Sequence, residues 1–154
     1  MKNFFIFIIL IAGGFHFYKE DPAKLFGPKF SSAYSVYKEF ADHLAYARFD
    51  QARDFGNSMT VDHIINKKQG KKSFESSMGF DDYVVHGTKY KLKSEDEYED
   101  GDVGYEVRQI IRLGSPSRGT WSNKYDHKVI LSETDDGWKV TDFEEEKISK
   151  DEEE

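Results

Sequence analysis

The chain contains no cysteine. That absence excludes disulfides, thiol catalysis, cysteine-ligated zinc and a lipid-modified cysteine behind an export signal. No Asn-x-Ser/Thr acceptor occurs either. Beyond Lys19 there is no long apolar run, and the remainder is polar and heavily charged. Nucleophile-elbow, phosphate-loop and helical zinc motifs are missing. The five histidines, His16, His43, His63, His86 and His127, are scattered, with no two at helical i, i+4 spacing. No metal site and no cofactor are therefore assigned.

What is present begins at the N-terminus. Lys2 precedes an unbroken apolar stretch, Phe4–Ala12, followed by Gly13 and Gly14. A basic start, a short apolar stretch and small residues at the end are the three parts of a cleaved export signal. An uncleaved anchor over residues 4–18 is the second reading. At about 1.5 Å per residue it falls short of a hydrocarbon core about 30 Å thick, though Phe15, Phe17 and Tyr18 suit an interface. Either form predicts an exported domain, periplasmic or elsewhere in a bacterial cell envelope. The cleaved signal is favoured over the single-pass anchor, and any membrane contact is through residues 4–18. Such a domain, lacking disulfides, depends on its hydrophobic core.

The net charge of −7 is unevenly distributed. Ser94–Asp102 carries six acids and no base, and Phe143–Glu154 carries seven acids and two lysines. Without them the remainder has 20 bases and 16 acids. The acidity thus belongs to one turn and one tail, read as solvated segments. The turn is not an EF-hand: Gly101 at the sixth position puts Tyr98 at the third and Val107 at the twelfth, where oxygen ligands are needed. Lys67, Lys68, Lys71 and Lys72 cluster, and Lys89, Lys91 and Lys93 alternate along one strand. The negative total and the expected export argue against nucleic acid as a partner.

The patterning divides the chain into a leader over 1–18, a linker over 19–29, a domain over 30–146 and an acidic tail over 147–154. Pro22, Gly27 and Pro28 punctuate the linker. Ser31 and Ser32 are candidate N-caps. Ala33, Tyr37, Phe40, Ala41, Leu44 and Ala45 then recur at helical spacing. Asp50 is expected to cap a second short helix through Ala52 and Phe55, stopped by Gly56-Asn57. Thr60 is expected to cap a third over Val61–Asn66, with Lys67–Lys72 as an exposed turn. After Gly79 the period becomes two. Strands are expected around Val84–Leu92, Val103–Leu113, Trp121–Leu131 and Trp138–Phe143. Asp135-Asp136-Gly137 sets a hairpin before the last of them, and the chain frays from Glu144. Helices followed by a meander of about four antiparallel strands make an α+β fold, with the helices covering one sheet face.

Two landmarks carry a family resemblance. Tyr46-Ala47-Arg48-Phe49-Asp50-Gln51-Ala52 is similar to the junction between the first two helices of nuclear transport factor 2-like domains of the cystatin-like fold. Asp135-Asp136-Gly137-Trp138-Lys139-Val140 resembles their acidic-glycine turn and final strand. The resemblance spans about Phe30–Glu146 and is nearest to small exported members with a signal or anchor before a lone domain. It implies a curved sheet wrapped around a helix, leaving a cone that is either packed or open, and it implies a scaffold without fixing a chemistry. Enzymes of that superfamily isomerise, dehydrate or cyclise small apolar molecules with an Asp or His base and a Tyr or Asp donor in the cone.

On that footing His86, Tyr90 and His127 are the weak catalytic candidates, with Tyr105, Tyr125 and Asp126 as further polar groups. Asp126 and His127 are strand neighbours and point to opposite faces, so they cannot form a dyad. His86 and Tyr90 share a face but lie about 13 Å apart along an extended strand. The binding candidates, on the cone or sheet face, are Tyr37, Phe40, Tyr105, Trp121 and Tyr125. The reading favours a non-enzymatic binding or assembly module with a protein partner or small apolar ligand, and a homodimer through the sheet is open. A small isomerase- or dehydratase-like enzyme is the alternative. A membrane-tethered assembly component, like the inner-membrane secretion-system subunits of this fold, is the third reading.

Overall fold

The computed structural model describes residues 32–148. The expected leader, the linker and the end of the acidic tail lie outside the described residues. Three helices, α1 (Ala33–Ala45), α2 (Phe49–Phe55) and α3 (Met59–Ser77), precede four strands. These are β1 (Val84–Glu97), β2 (Val103–Ser115), β3 (Gly119–Thr134) and β4 (Gly137–Ile148). The sheet is an antiparallel meander in the order β1-β2-β3-β4. The α+β reading with helices packed on a curved sheet is thus the observed architecture.

The Ser32 hydroxyl accepts from the Ser35 N–H and caps α1, satisfying one of the free donors of its first turn. The helix buries Ala33, Val36, Tyr37, Phe40, Ala41 and Leu44 on one face. It ends in a Schellman turn: Arg48 N–H donates to His43 C=O at 2.8 Å and Ala47 N–H to Leu44 C=O at 3.3 Å. Ala47 occupies the left-handed position with φ of 57°, where glycine is the usual residue.

Three local expectations are corrected. Asp50 does not cap α2. It sits in the first turn, and the N-cap is Arg48, without a side-chain bond. The cap of α3 is Ser58 and not Thr60, its hydroxyl accepting from Val61 N–H at 3.1 Å. The third helix does not end at Asn66 but continues through Lys67–Lys72 to Ser77. Gly70 made that stretch look like a turn, yet it lies in an exposed helical turn with open space around it. Ion pairing of Lys71 with Glu75 one turn later adds modest support.

The core lies between α1 and the inner faces of β2, β3 and β4. Tyr105, Val107 and Gln109 of β2 meet His127, Val129 and Leu131 of β3 and Val140 and Phe143 of β4. Phe40 packs edge-on against Phe143 at 5.1 Å between ring centres. β4 runs on through Glu144–Glu146, where the sequence suggested fraying. A one-residue irregularity between Ile130 and Leu131 shifts its pairing with β3. Among the described residues no helix is long and apolar enough to cross a membrane.

Candidate functional site

The space between helices and sheet is filled at one end and open at the other. The filled end holds Val36, Tyr37, Phe40, Tyr105, Val107, His127, Val129 and Phe143, all buried. The open end is a cleft of about 630 Å³, within the range of small-molecule sites. Its sheet side is Val85, Ile111, Leu113, Trp121, Asn123 and Tyr125. Residues 44–47 and Phe49, from the α1–α2 junction, close one side. The remaining wall comes from α3, with Lys68, Lys71, Lys72 and Glu75.

The five binding candidates divide between these regions. Tyr37, Phe40 and Tyr105 belong to the packed end, whereas Trp121 and Tyr125 line the cleft. Burial first, then the Glu95 carboxylate, pushes the Tyr105 phenol up to about 12. Tyr83, also on the cleft, is pushed to about 12 by burial and by Glu75, to which its hydroxyl donates at 3.1 Å.

His127 is 1% exposed and sits in a buried polar relay behind the cleft. Its Nε2 lies 3.2 Å from Glu145 Oε2, and its Nδ1 lies 2.8 Å from the Tyr37 hydroxyl. The other Glu145 oxygen accepts from Lys68 Nζ at 2.6 Å. Burial alone raises the Glu145 pKa. The hydrogen bond from His127 and the adjacent Lys68 ammonium outweigh it and hold the carboxyl at about 2. An ionised carboxylate only accepts, so Nε2 carries the proton that faces it, and in the neutral imidazole Nδ1 accepts from the Tyr37 O–H. Burial is the main cause of the strongly raised Tyr37 pKa. Neither His127 nor Glu145 is among the cleft-lining residues; Lys68 alone of the relay belongs to both.

Sequence reasoning missed Tyr37 and Glu145 as partners of His127, and Lys68 as a partner of Glu145, because they are remote along the chain. The strand period was the one usable signal: Phe143, Glu145 and Lys147 continue the inward face of β4. Direct pairing of His127 with Glu145 then depends on the register shift.

Tyr90 serves a second network. Its hydroxyl donates to Asp42 Oδ1 at 2.6 Å and accepts from Gln109 Nε2 at 2.9 Å. Thr88 also donates to Asp42. Burial and the Asp42 carboxylate drive the Tyr90 pKa far up, so the phenol stays protonated. This network ties β1 and β2 to α1 and does not border the cleft. His86 is exposed at a β1 irregularity and lies over Gly114, where a Cβ would collide with its ring. On the outer face Asp126 binds Arg108 through two 2.8 Å bonds and Lys93 at 2.7 Å, and these partners hold its carboxyl well below the usual range. Asp126 and His127 thus serve opposite faces. Among the described residues no group of three or more His, Asp or Glu side chains could hold a metal ion.

No family model matches the chain, and no curated protein matches it. Solved structures do. A ketosteroid isomerase-like protein from Erwinia carotovora atroseptica superposes with a TM-score of 0.54 at 11% identity, covering 76% of this chain and 94% of that one. The intermembrane space region of the chloroplast protein ARC6 superposes with a TM-score of 0.50 at 14% identity, covering 75% and 95%. Identities this low speak for the fold alone, and what they support is the nuclear transport factor 2-like, cone-forming α+β fold.

Proposed function

We propose that this chain is an exported, non-enzymatic binding module whose working surface is the open end of the cone. The observation that carries this reading is the division of the cone. The buried acid-base pair, His127 and Glu145, is bound to Tyr37 and Lys68 behind the cleft. A general base must come within about 3 Å of its substrate's proton. The cleft itself offers aromatic, aliphatic and cationic groups, which suit holding a molecule, and its one carboxylate, Glu75, already accepts from Tyr83 at 3.1 Å and faces Lys71 at 3.8 Å. Export rests on the Phe4–Ala12 leader. A structural neighbour from the space between chloroplast envelope membranes is compatible with an envelope-side setting.

The test is a screen of small aromatic and aliphatic fragments against the isotopically labelled protein by NMR. Binders are expected to perturb Ile111, Trp121, Asn123 and Tyr125. His127→Gln should leave that binding in place. Fragments that collect only on the outer sheet face, around Arg108 and Asp126, would overturn the assignment.

A further inference from the structure

The cleft is cationic although the whole chain is acidic. Five cations, Lys68, Lys71, Lys72, Arg118 and Lys147, line it, against the single carboxylate of Glu75. Apart from Lys68, which is held by Glu145 at 2.6 Å, the ion pairs of the lining cations are loose. Lys71 lies 3.8 Å from Glu75, Lys72 lies 3.9 Å from Asp81, and Arg118 lies 4.0 Å from Asp82. Contacts of that length at half-exposed side chains contribute little, so an incoming anion displaces them at small cost. Low-dielectric walls on either side strengthen the field that these cations create.

The rest of the cleft mixes the polar edges of Tyr83, Asn123 and Tyr125 with apolar side chains. Leu44, Val85, Ile111, Leu113 and Trp121 supply the apolar part of the lining, across the cleft from the α3 lysines. At the cleft wall two exposed apolar side chains, Phe80 and Val84, form a lip, 53% and 61% exposed. Large apolar groups left in water on the wall of a cleft suit a binding surface.

We propose that the cleft takes a small amphiphilic anion, a monomeric molecule with one phosphate or carboxylate head and an apolar body. The head sits against Lys71 and Lys72, and the body lies on Ile111, Leu113 and Trp121 and runs out under the Phe80–Val84 lip. This assignment rests on the cleft being the working surface and adds the chemistry of what it holds.

The experiment compares octyl phosphate, octanol and octyltrimethylammonium below their aggregation concentrations. The readout is the tryptophan emission of the purified protein, with Trp121→Phe to separate the cleft tryptophan from Trp138. Octyl phosphate is expected to bind at least about tenfold tighter than octanol, with an affinity that falls as salt rises. The double variant Lys71→Gln, Lys72→Gln should remove that advantage and leave octanol binding unchanged. Equal affinity for octyl phosphate and octanol, with Trp121 responding to both, overturns the anionic ligand and spares the cleft. Absence of any Trp121 response to all three overturns both. A response confined to vesicles of phosphatidylcholine and phosphatidylglycerol, and abolished by Phe80→Ser, overturns the monomeric ligand and makes the lip a membrane contact.

Discussion

Glu145 shows how one side chain depends on surroundings assembled from three elements. Its carboxyl is held at about 2, below the ordinary value of 4.5, by His127 and Lys68 against the opposing effect of burial. A carboxylate with a depressed folded pKa adds stability above its unfolded pKa and loses it as pH falls towards the folded one. The contribution is therefore complete above about pH 5 and declines between about pH 4.5 and 2, with a size on the order of 3 kcal/mol. Urea unfolding across that range should show the loss, and Glu145→Gln should flatten it. His127→Ala is more damaging, since it strips the buried Tyr37 hydroxyl of its hydrogen-bond partner and Glu145 of a donor. A loss of about 3 kcal/mol or more is expected in urea melts at neutral pH. Ala47 offers the opposite sign. Its φ of 57° is strained for any residue with a Cβ, so Ala47→Gly should raise stability by about 1 kcal/mol, read from the same melts.

At the scale of elements, α3 differs most from its sequence pattern. Its length comes from Ser58 capping the start and from burial of Val61 and Ile65, not from an amphipathic stripe along its whole course. Residues beyond Asn66 are mostly exposed, with Lys68 turned to Glu145. Local propensity should therefore govern the second half. Gly70→Ala is expected to stabilise the protein by about 0.5–1 kcal/mol, since nothing lies within 4 Å of the added methyl. A thermal shift measured by circular dichroism checks this. The α1 face and the β2 and β3 alternations were legible because burial on one side imprints a period on the sequence. The extension of α3 was not legible, because an exposed helix carries no such imprint and a glycine with four lysines mimics a turn.

For the molecule as a whole, the packed end of the cone carries the buried core and the open end carries the cleft. Phe40 is fully buried against Phe143, and Phe40→Ala should cost about 3–5 kcal/mol in urea unfolding. The consequence expected for function follows from position. A cavity at the packed end lowers stability without touching the cleft walls. Ligand affinity at temperatures well below unfolding should remain within about twofold of the native protein, as measured by titration calorimetry. The half-filled cone also explains why aromatic content alone could not identify a binding surface. Tyr37 and Trp121 look equally suited on paper, yet one fills the core and the other lines the cleft.

The order of helices and strands, the period-two alternation of the strands, the opposite orientations of Asp126 and His127, and the hairpin at Gly137 were legible in the chain alone. Each is a local or period-two property, fixed by sterics and by the burial of one face. Which residues meet across elements came from packing in three dimensions. Without the register shift after Leu131, the hairpin would set Glu144 opposite His127; with it, Glu145 takes that place. Where α3 crosses the sheet decided that its lysines border a cleft. Both depend on packing between segments far apart in the chain, and no short stretch of sequence encodes such a distance.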